Sequence, residues 1–185
     1  MNPVLFIWLI DTLWFILVVY LTVSAVGVKP ETQGHMLQSV GLALALIVAF
    51  VLPRLSIFRF LDFAPVDPVL SGIGVALCVA GMAVLVWARQ CLGRNWSQTV
   101  ALKQGHDLVT SGPYRYVRHP MYAGGIVACI GSAIVAGGPW IFLLIILGSL
   151  FLWRLGAEDR LMARQFPNEF PQYKNRIKAV IPFVW

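Results

Sequence analysis

Long apolar runs separated by short polar ones organise this chain. The runs cover about Pro3 to Gly27, Met36 to Leu52, Val69 to Arg89, Pro120 to Gly137 and Pro139 to about Gly156. Each is close to the roughly 20 residues a helix needs to cross a hydrocarbon core about 30 Å thick. The pattern predicts an all-α polytopic membrane protein with about five transmembrane helices. The first run, Val4 to Val26, follows no basic region and is too long for a signal core, so it reads as a span. Between the second and third runs, Arg54, Arg59, Asp62 and Asp67 balance in charge beside Phe58, Phe60 and Phe63, which fits a surface loop.

The fourth and fifth runs are joined by Gly137-Gly138-Pro139, which leaves almost no loop and puts proline where a helix tolerates it best. A tight helical hairpin over 120–156 is expected. Along its first arm, Gly124, Ala128, Ser132 and Ala136 recur every four residues, and Gly125, Cys129, Ala133 and Gly137 form a parallel ridge. Small residues at this spacing let helix backbones approach closely in lipid. Their direct role is packing, and a rigid hairpin fixes whatever sits at its two ends.

Composition agrees with the pattern. Hydrophobic residues make up 59% of the chain and charged residues 12%, about half the charged share of an average soluble domain. Of the fourteen basic residues, only Arg54 and Arg59 fall in the loop assigned to the outer face. The positive-inside rule then puts the segment before Pro120 and the C-terminal tail in the cytoplasm, and the N-terminus outside. The net charge of +6 is explained by this topology and by anionic headgroups, with no nucleic-acid motif in the chain. Cys78, Cys91 and Cys129 are widely separated and have no nearby histidines, so they read as packing residues, and no metal site is expected.

The candidate chemistry lies in the polar insert Gly105 to Gly125, GHDLVTSGPYRYVRHPMYAGG, and at the end of the fifth run. Pro120 suits the first turn of a helix, whose free N–H groups attract anions, while Tyr114, His119 and Tyr122 offer donors and flat faces. An adenosine-like ligand with a carboxylate suits such a place. Interfacial anchoring is the competing role for each aromatic. Arg154 and Glu158, four apart and so on one helix face, lie near the headgroup boundary, where ionisable groups are costly. An i,i+4 ion pair and a functional role are both open for them. Asp11, inside the first span, is either functional or, near the outer end, snorkelling or protonated. Trp8, Trp14, Trp140 and Trp185 read as interfacial or packing aromatics.

Taken in order, LGRNWS (Leu92 to Ser97), GHDLVTSGPYRYVRHPMYAG (Gly105 to Gly124), the hairpin, Arg154, Glu158-Asp159 and Ile181-Pro182-Phe183 resemble the isoprenylcysteine carboxyl methyltransferase family and its relatives among phospholipid methyltransferases. The resemblance covers about the last hundred residues. Length and composition give a single membrane domain over 1–185, and hydropathy gives three spans in 1–90; the resemblance implies a cofactor-binding catalytic part in 91–185. It implies S-adenosylmethionine held in a cytoplasmic lobe, and a lipophilic substrate entering from the bilayer. The implied cofactor-binding residues are His106, Asp107, Leu108, Val109, Tyr114, His119, Pro120, Met121, Tyr122 and Glu158. Arg154 takes the position of a substrate-contacting arginine, so Arg154 and Glu158 are the expected catalytic pair.

The chain departs from the family at Glu158-Asp159, where two glutamates are common, and at Phe166 to Tyr173, where Pro167 and Pro171 must redirect the tail. A carboxylate acceptor is ionised at neutral pH and needs no base, and Arg154 is suited to grip it. An amine acceptor, as in a phospholipid, must first lose a proton, a task for a carboxylate such as Asp159. A thiol acceptor needs its thiolate. Outside methyl transfer, the alternatives are a nicotinamide-dependent membrane reductase, for which no Gly-rich fingerprint is present, and a small membrane scaffold or transporter subunit, which leaves the Gly105 to Gly125 insert without a purpose.

Overall fold

The computed structural model describes residues 3–25, 67–93 and 107–182. Within them lie five α-helices: α1 (Pro3–Ala25), α2 (Pro68–Leu92), α3 (Pro120–Ala136), α4 (Gly138–Gln165) and α5 (Phe170–Arg176), with a 3-10 turn at Gly112–Arg115. The expected second span, Met36 to Leu52, and the loop after it lie outside the described residues.

Local chemistry sets the helix ends. Asp67 caps α2 by accepting from Val69 N–H at 2.8 Å, Pro68 occupies the first turn, and Gly93 at φ +51° closes the helix. Gly137, at φ +76°, ends α3 and is the single residue between α3 and α4, so the hairpin has the form expected of it.

α1, α2 and α4 are each long and apolar enough to cross a membrane, whereas α3 is a shorter apolar helix of 17 residues. At 1.5 Å per residue, α4 is about 42 Å long and must overrun the hydrocarbon by roughly 12 Å. Hydropathy placed its end near Gly156, but it continues to Gln165. Residues 157–165 add charged residues but are mostly good helix formers, and nothing forbids the helix before Pro167.

The closest helix pair is α2 with α3. A Cβ on Gly81 would collide with the Ala128 nitrogen, and one on Gly131 with the Gly74 oxygen, so the two backbones touch. The small-residue stripe thus packs mainly on α2. Gly124 and Ala128 face α2, while Gly125 meets Phe151 of α4. Spacing alone announces close approach without saying to what.

α1 lies against this pair. Trp14 donates to Ser132 Oγ at 2.9 Å, and its ring lies 5.4 Å from that of Trp140, so both tryptophans are packing residues. Cys78 and Cys129 are buried as expected, and Cys91 is half-buried. Asp11 is buried. The outward faces carry Trp8, Phe15, Ile16, Ile73, Ile145 and Trp153, all exposed, as lipid-facing side chains would be.

Candidate active site

Three separated stretches of chain converge at one end of α3 and α4. The first is the approach segment. Gly112, at φ +60°, turns the chain close to Cys91 and Trp87 and starts the 3-10 turn that buries Tyr114. The second is the tail, which passes through α5 and returns alongside the approach segment. Val117 and Lys178 form a parallel bridge, with Arg118 N–H donating to the Lys178 carbonyl at 2.8 Å and His119 N–H to that of Ala179 at 2.9 Å. Tyr173 Oη donates to the Tyr114 carbonyl at 2.6 Å, and Ala179 and Val180 bury against Leu155. Pro167 lies in the turn between α4 and α5, and Pro171 in the first turn of α5. The third stretch is the overrunning end of α4, which supplies Arg154, Glu158 and Asp159.

The side chains form a continuous polar cluster. Glu158 Oε1 accepts from Tyr122 Oη at 2.5 Å and from Arg154 Nε at 3.1 Å. His119 lies between the two carboxylates, with Nδ1 3.5 Å from Glu158 Oε2 and Nε2 3.0 Å from Asp159 Oδ1. Asp159 Oδ2 is bound by Arg118 Nη2 at 2.9 Å and by Lys174 Nζ at 3.1 Å. Arg118 also donates to the Ile177 and Lys174 carbonyls, tying the tail to the start of α3. The His119 and Tyr122 rings stack at 5.7 Å, and Tyr122 stacks on Phe151 at 4.7 Å.

Burial pushes the His119 pKa down, but hydrogen bonds and charge from Asp159 and Glu158 more than offset it, and the value ends above the ordinary 6.5. Burial lifts the Tyr114 hydroxyl far above its usual range, reinforced by the charges around it, Glu158 among them. Tyr173 is pushed up to about 12, chiefly by burial, with Arg118 opposing and Asp159 adding to the rise. Both phenols therefore stay protonated at neutral pH.

Of the residues singled out in the sequence, the structure joins His119, Tyr122, Arg154 and Glu158 in direct contact and places Tyr114 within their electrostatic reach. Pro120 is fully buried, and Met121 packs on the hydrophobic core. Asp107 is exposed and Leu108 and Val109 are half-buried on the way into the 3-10 turn, while His106 lies outside the described residues. The Arg154–Glu158 ion pair forms. Asp159 is not the open carboxylate that an amine acceptor would require, because three cationic or ring donors occupy it. Sequence reasoning assigned nothing to Arg118, Lys174 or Tyr173. The available signal was charge next to the candidates, since Arg118 precedes His119 and Asp159 follows Glu158.

The donor set suits a ligand carrying both signs of charge. Glu158, with a side chain 23% exposed, offers a carboxylate to a cation, and the surrounding rings offer flat faces to a base. S-adenosylmethionine, with its ammonium, sulfonium and adenine, fits this chemistry.

Residues 74–164 match the isoprenylcysteine carboxyl methyltransferase family. The chain is 27% identical over 143 residues to protein-S-isoprenylcysteine O-methyltransferase of Saccharomyces cerevisiae, a match covering 75% of this chain and 59% of the yeast protein. It is 24% identical over 168 residues to protein-S-isoprenylcysteine O-methyltransferase B of Arabidopsis thaliana, covering 89% of this chain and 85% of that one. Among solved structures it resembles the eukaryotic intramembrane Ras methyltransferase, with a TM-score of 0.59 and 23% identity over 83% of this chain and 55% of the other. The chain thus spans little more than half the length of the yeast relative and of the solved structure. It shares with the latter a multi-pass intramembrane fold.

Proposed function

We propose, from the match of residues 74–164 to the isoprenylcysteine carboxyl methyltransferase family and the similarity to its yeast and plant members, that the chain belongs to that family and is an S-adenosylmethionine-dependent methyltransferase acting on the carboxylate of a lipophilic acceptor. The observation that supports this most is Glu158 in contact with His119 and Tyr122, which joins the two polar parts of the family motif across the α3–α4 hairpin.

In this reading Glu158 binds the cationic part of the cofactor, and Tyr122 and His119 fix the carboxylate and offer ring faces. Tyr114, Pro120, Met121 and the segment His106 to Val109 complete the cofactor side. When bound, S-adenosylmethionine supplies an electrophilic methyl group on sulfur; attack by a carboxylate oxygen forms the O–C bond, breaks the S–C bond and moves no proton. The protein's task is then to hold the reacting atoms in line. Arg154, its side chain 35% exposed, would grip the acceptor carboxylate while its Nε steadies Glu158. An ionised acceptor needs no base, in keeping with an Asp159 already engaged by His119, Arg118 and Lys174. A lipid-soluble substrate would reach the site from the bilayer around α4. The positive-inside rule puts the cluster and the tail in the cytoplasm and the N-terminus outside.

The test is to incubate purified protein with methyl-labelled S-adenosylmethionine and a native lipid extract and identify the labelled product by mass spectrometry. A base-labile methyl ester is expected, absent with Arg154→Ala although that variant still binds cofactor. A labelled amine or thioether would contradict the carboxylate assignment, and no labelled product at all would contradict methyl transfer to a lipid.

A further inference from the structure

The cofactor reading uses one edge of His119, the Nδ1 side facing Glu158. Its other edge carries a separate consequence. Stacking on Tyr122, with 12° between the planes, sets the plane of the imidazole. It does not set which way round the ring sits. A half-turn about the Cβ–Cγ bond keeps the stack but exchanges Nδ1 for Cδ2 opposite Glu158, and Nε2 for Cε1 opposite Asp159. Only the orientation with Nε2 3.0 Å from Asp159 Oδ1 makes a hydrogen bond at that edge, and it is the one observed.

Asp159 is built to impose this choice. It follows Glu158 on α4, so its side chain leaves the helix about 100° further round and approaches the imidazole from the opposite edge. Its side chain is 7% exposed, and Oδ2 is held by Arg118 Nη2 and Lys174 Nζ, which leaves Oδ1 for the ring. Those two anchors come from the approach segment and from α5, so the carboxylate is fixed from two sides before it meets His119.

We propose that Asp159 is a positioning residue: anchored by Arg118 and Lys174, it selects the orientation of His119 in which Nδ1 confronts Glu158. The functional weight of this assignment rests on the reading of Glu158 as the cofactor-binding carboxylate, whereas the orientation itself does not. With Nε2–H donated to Asp159, Nδ1 carries a lone pair in the neutral ring or a second N–H in the imidazolium. Imidazolium occupies Glu158; neutral imidazole releases it to another cation. Among the described residues, the ionisable groups around the ring are Glu158, Asp159 and Arg154 from α4, Tyr122 from α3, Tyr114 from the 3-10 turn, Lys174 from α5, and Arg118 beside it. The two carboxylates are the groups that meet its nitrogens.

The experiment is an NMR titration of histidine-labelled full-length protein in micelles, with the His119 signals assigned by their loss in His119→Gln. In the wild type, His119 should titrate above 6.5 and be the Nε2–H tautomer when neutral. Asp159→Asn keeps an acceptor oxygen and removes the charge, so the midpoint should move down. Asp159→Ala should lose the single tautomer as well. Lys174→Ala removes a cation from Asp159 and should leave the midpoint at or above the wild-type value. A merely structural Asp159 would lower protein yield without moving the midpoint or the tautomer. An unmoved midpoint in folded Asp159→Asn overturns the proposal; if that variant does not fold, an Nδ1–H tautomer in the wild type overturns it equally. Binding of S-adenosylhomocysteine, measured in parallel, should strengthen as pH rises through the His119 midpoint. A wild type that binds none while the NMR results hold would sink the cofactor reading and leave the positioning role standing.

Discussion

Two regions of this molecule hold helices together by opposite means. Where α2 meets α3, contact is made by absence: Gly74, Gly81, Gly124 and Gly131 leave backbone against backbone, with no room for a Cβ. At the end of α3 and α4, contact is made by charge: Arg118, His119, Lys174, Glu158 and Asp159 link an approach segment, a helix end and a tail. In lipid there is no hydrophobic drive between apolar helices, so the seam depends on dispersion and shape. At the polar end, desolvated charges need partners, and the partners come from distant sequence. The seam therefore supplies a rigid frame that is indifferent to pH, and the cluster supplies a site that is not.

The largest effect should come from the seam. Gly81→Leu forces side-chain atoms into the Ala128 backbone, which neither helix can yield, so a loss of about 3 kcal/mol or more, or failure to fold, is expected in thermal unfolding in detergent. A near-neutral Gly81→Leu would mean that the backbones are not in contact there.

A smaller effect separates the regions by pH. The His119 pKa is raised on folding, so its contribution to stability is complete below 6.5 and is lost as pH climbs through the higher folded value. Melting temperature should fall over that window in the wild type and remain flatter in His119→Gln. Among the described residues the α2–α3 seam holds the thiols Cys78 and Cys129 but no carboxylate or histidine, and it contributes no such slope. The smallest effect is expected for Lys174→Ala, because Lys174 is 51% exposed and its pair with Asp159 is screened by water. A loss of under about 1 kcal/mol is expected, detectable chiefly as faster proteolysis of the tail.

The same contrast explains what was legible in the sequence. Local devices were readable: Gly137-Gly138-Pro139 as a loopless hairpin, and Arg154 with Glu158 on one helix face. The close approach of the small-residue stripe was readable too, but its partner was not, since periodicity names a face and never the helix opposite. The length of α4 was misjudged because hydropathy falls after Trp153 while helix propensity continues to Gln165. The tail clamp was invisible because it rests on a single bridge, Val117 with Lys178, and on hydrogen bonds such as Tyr173 to Tyr114 across 59 residues. Asp159 could be offered as the base an amine acceptor would need because adjacency to Glu158 does not reveal that Arg118 and Lys174 converge on it.

The central claim is that the charged end of the α3–α4 hairpin binds S-adenosylmethionine through Glu158. Calorimetric titration of the purified full-length protein with S-adenosylhomocysteine, comparing wild type with Glu158→Ala at one pH above the His119 midpoint, tests it most directly. The account predicts measurable binding in the wild type and a loss of about 100-fold or more in the variant, as expected when a charged hydrogen-bonding partner worth about 3 kcal/mol is removed. Equal affinity in the two proteins would contradict it.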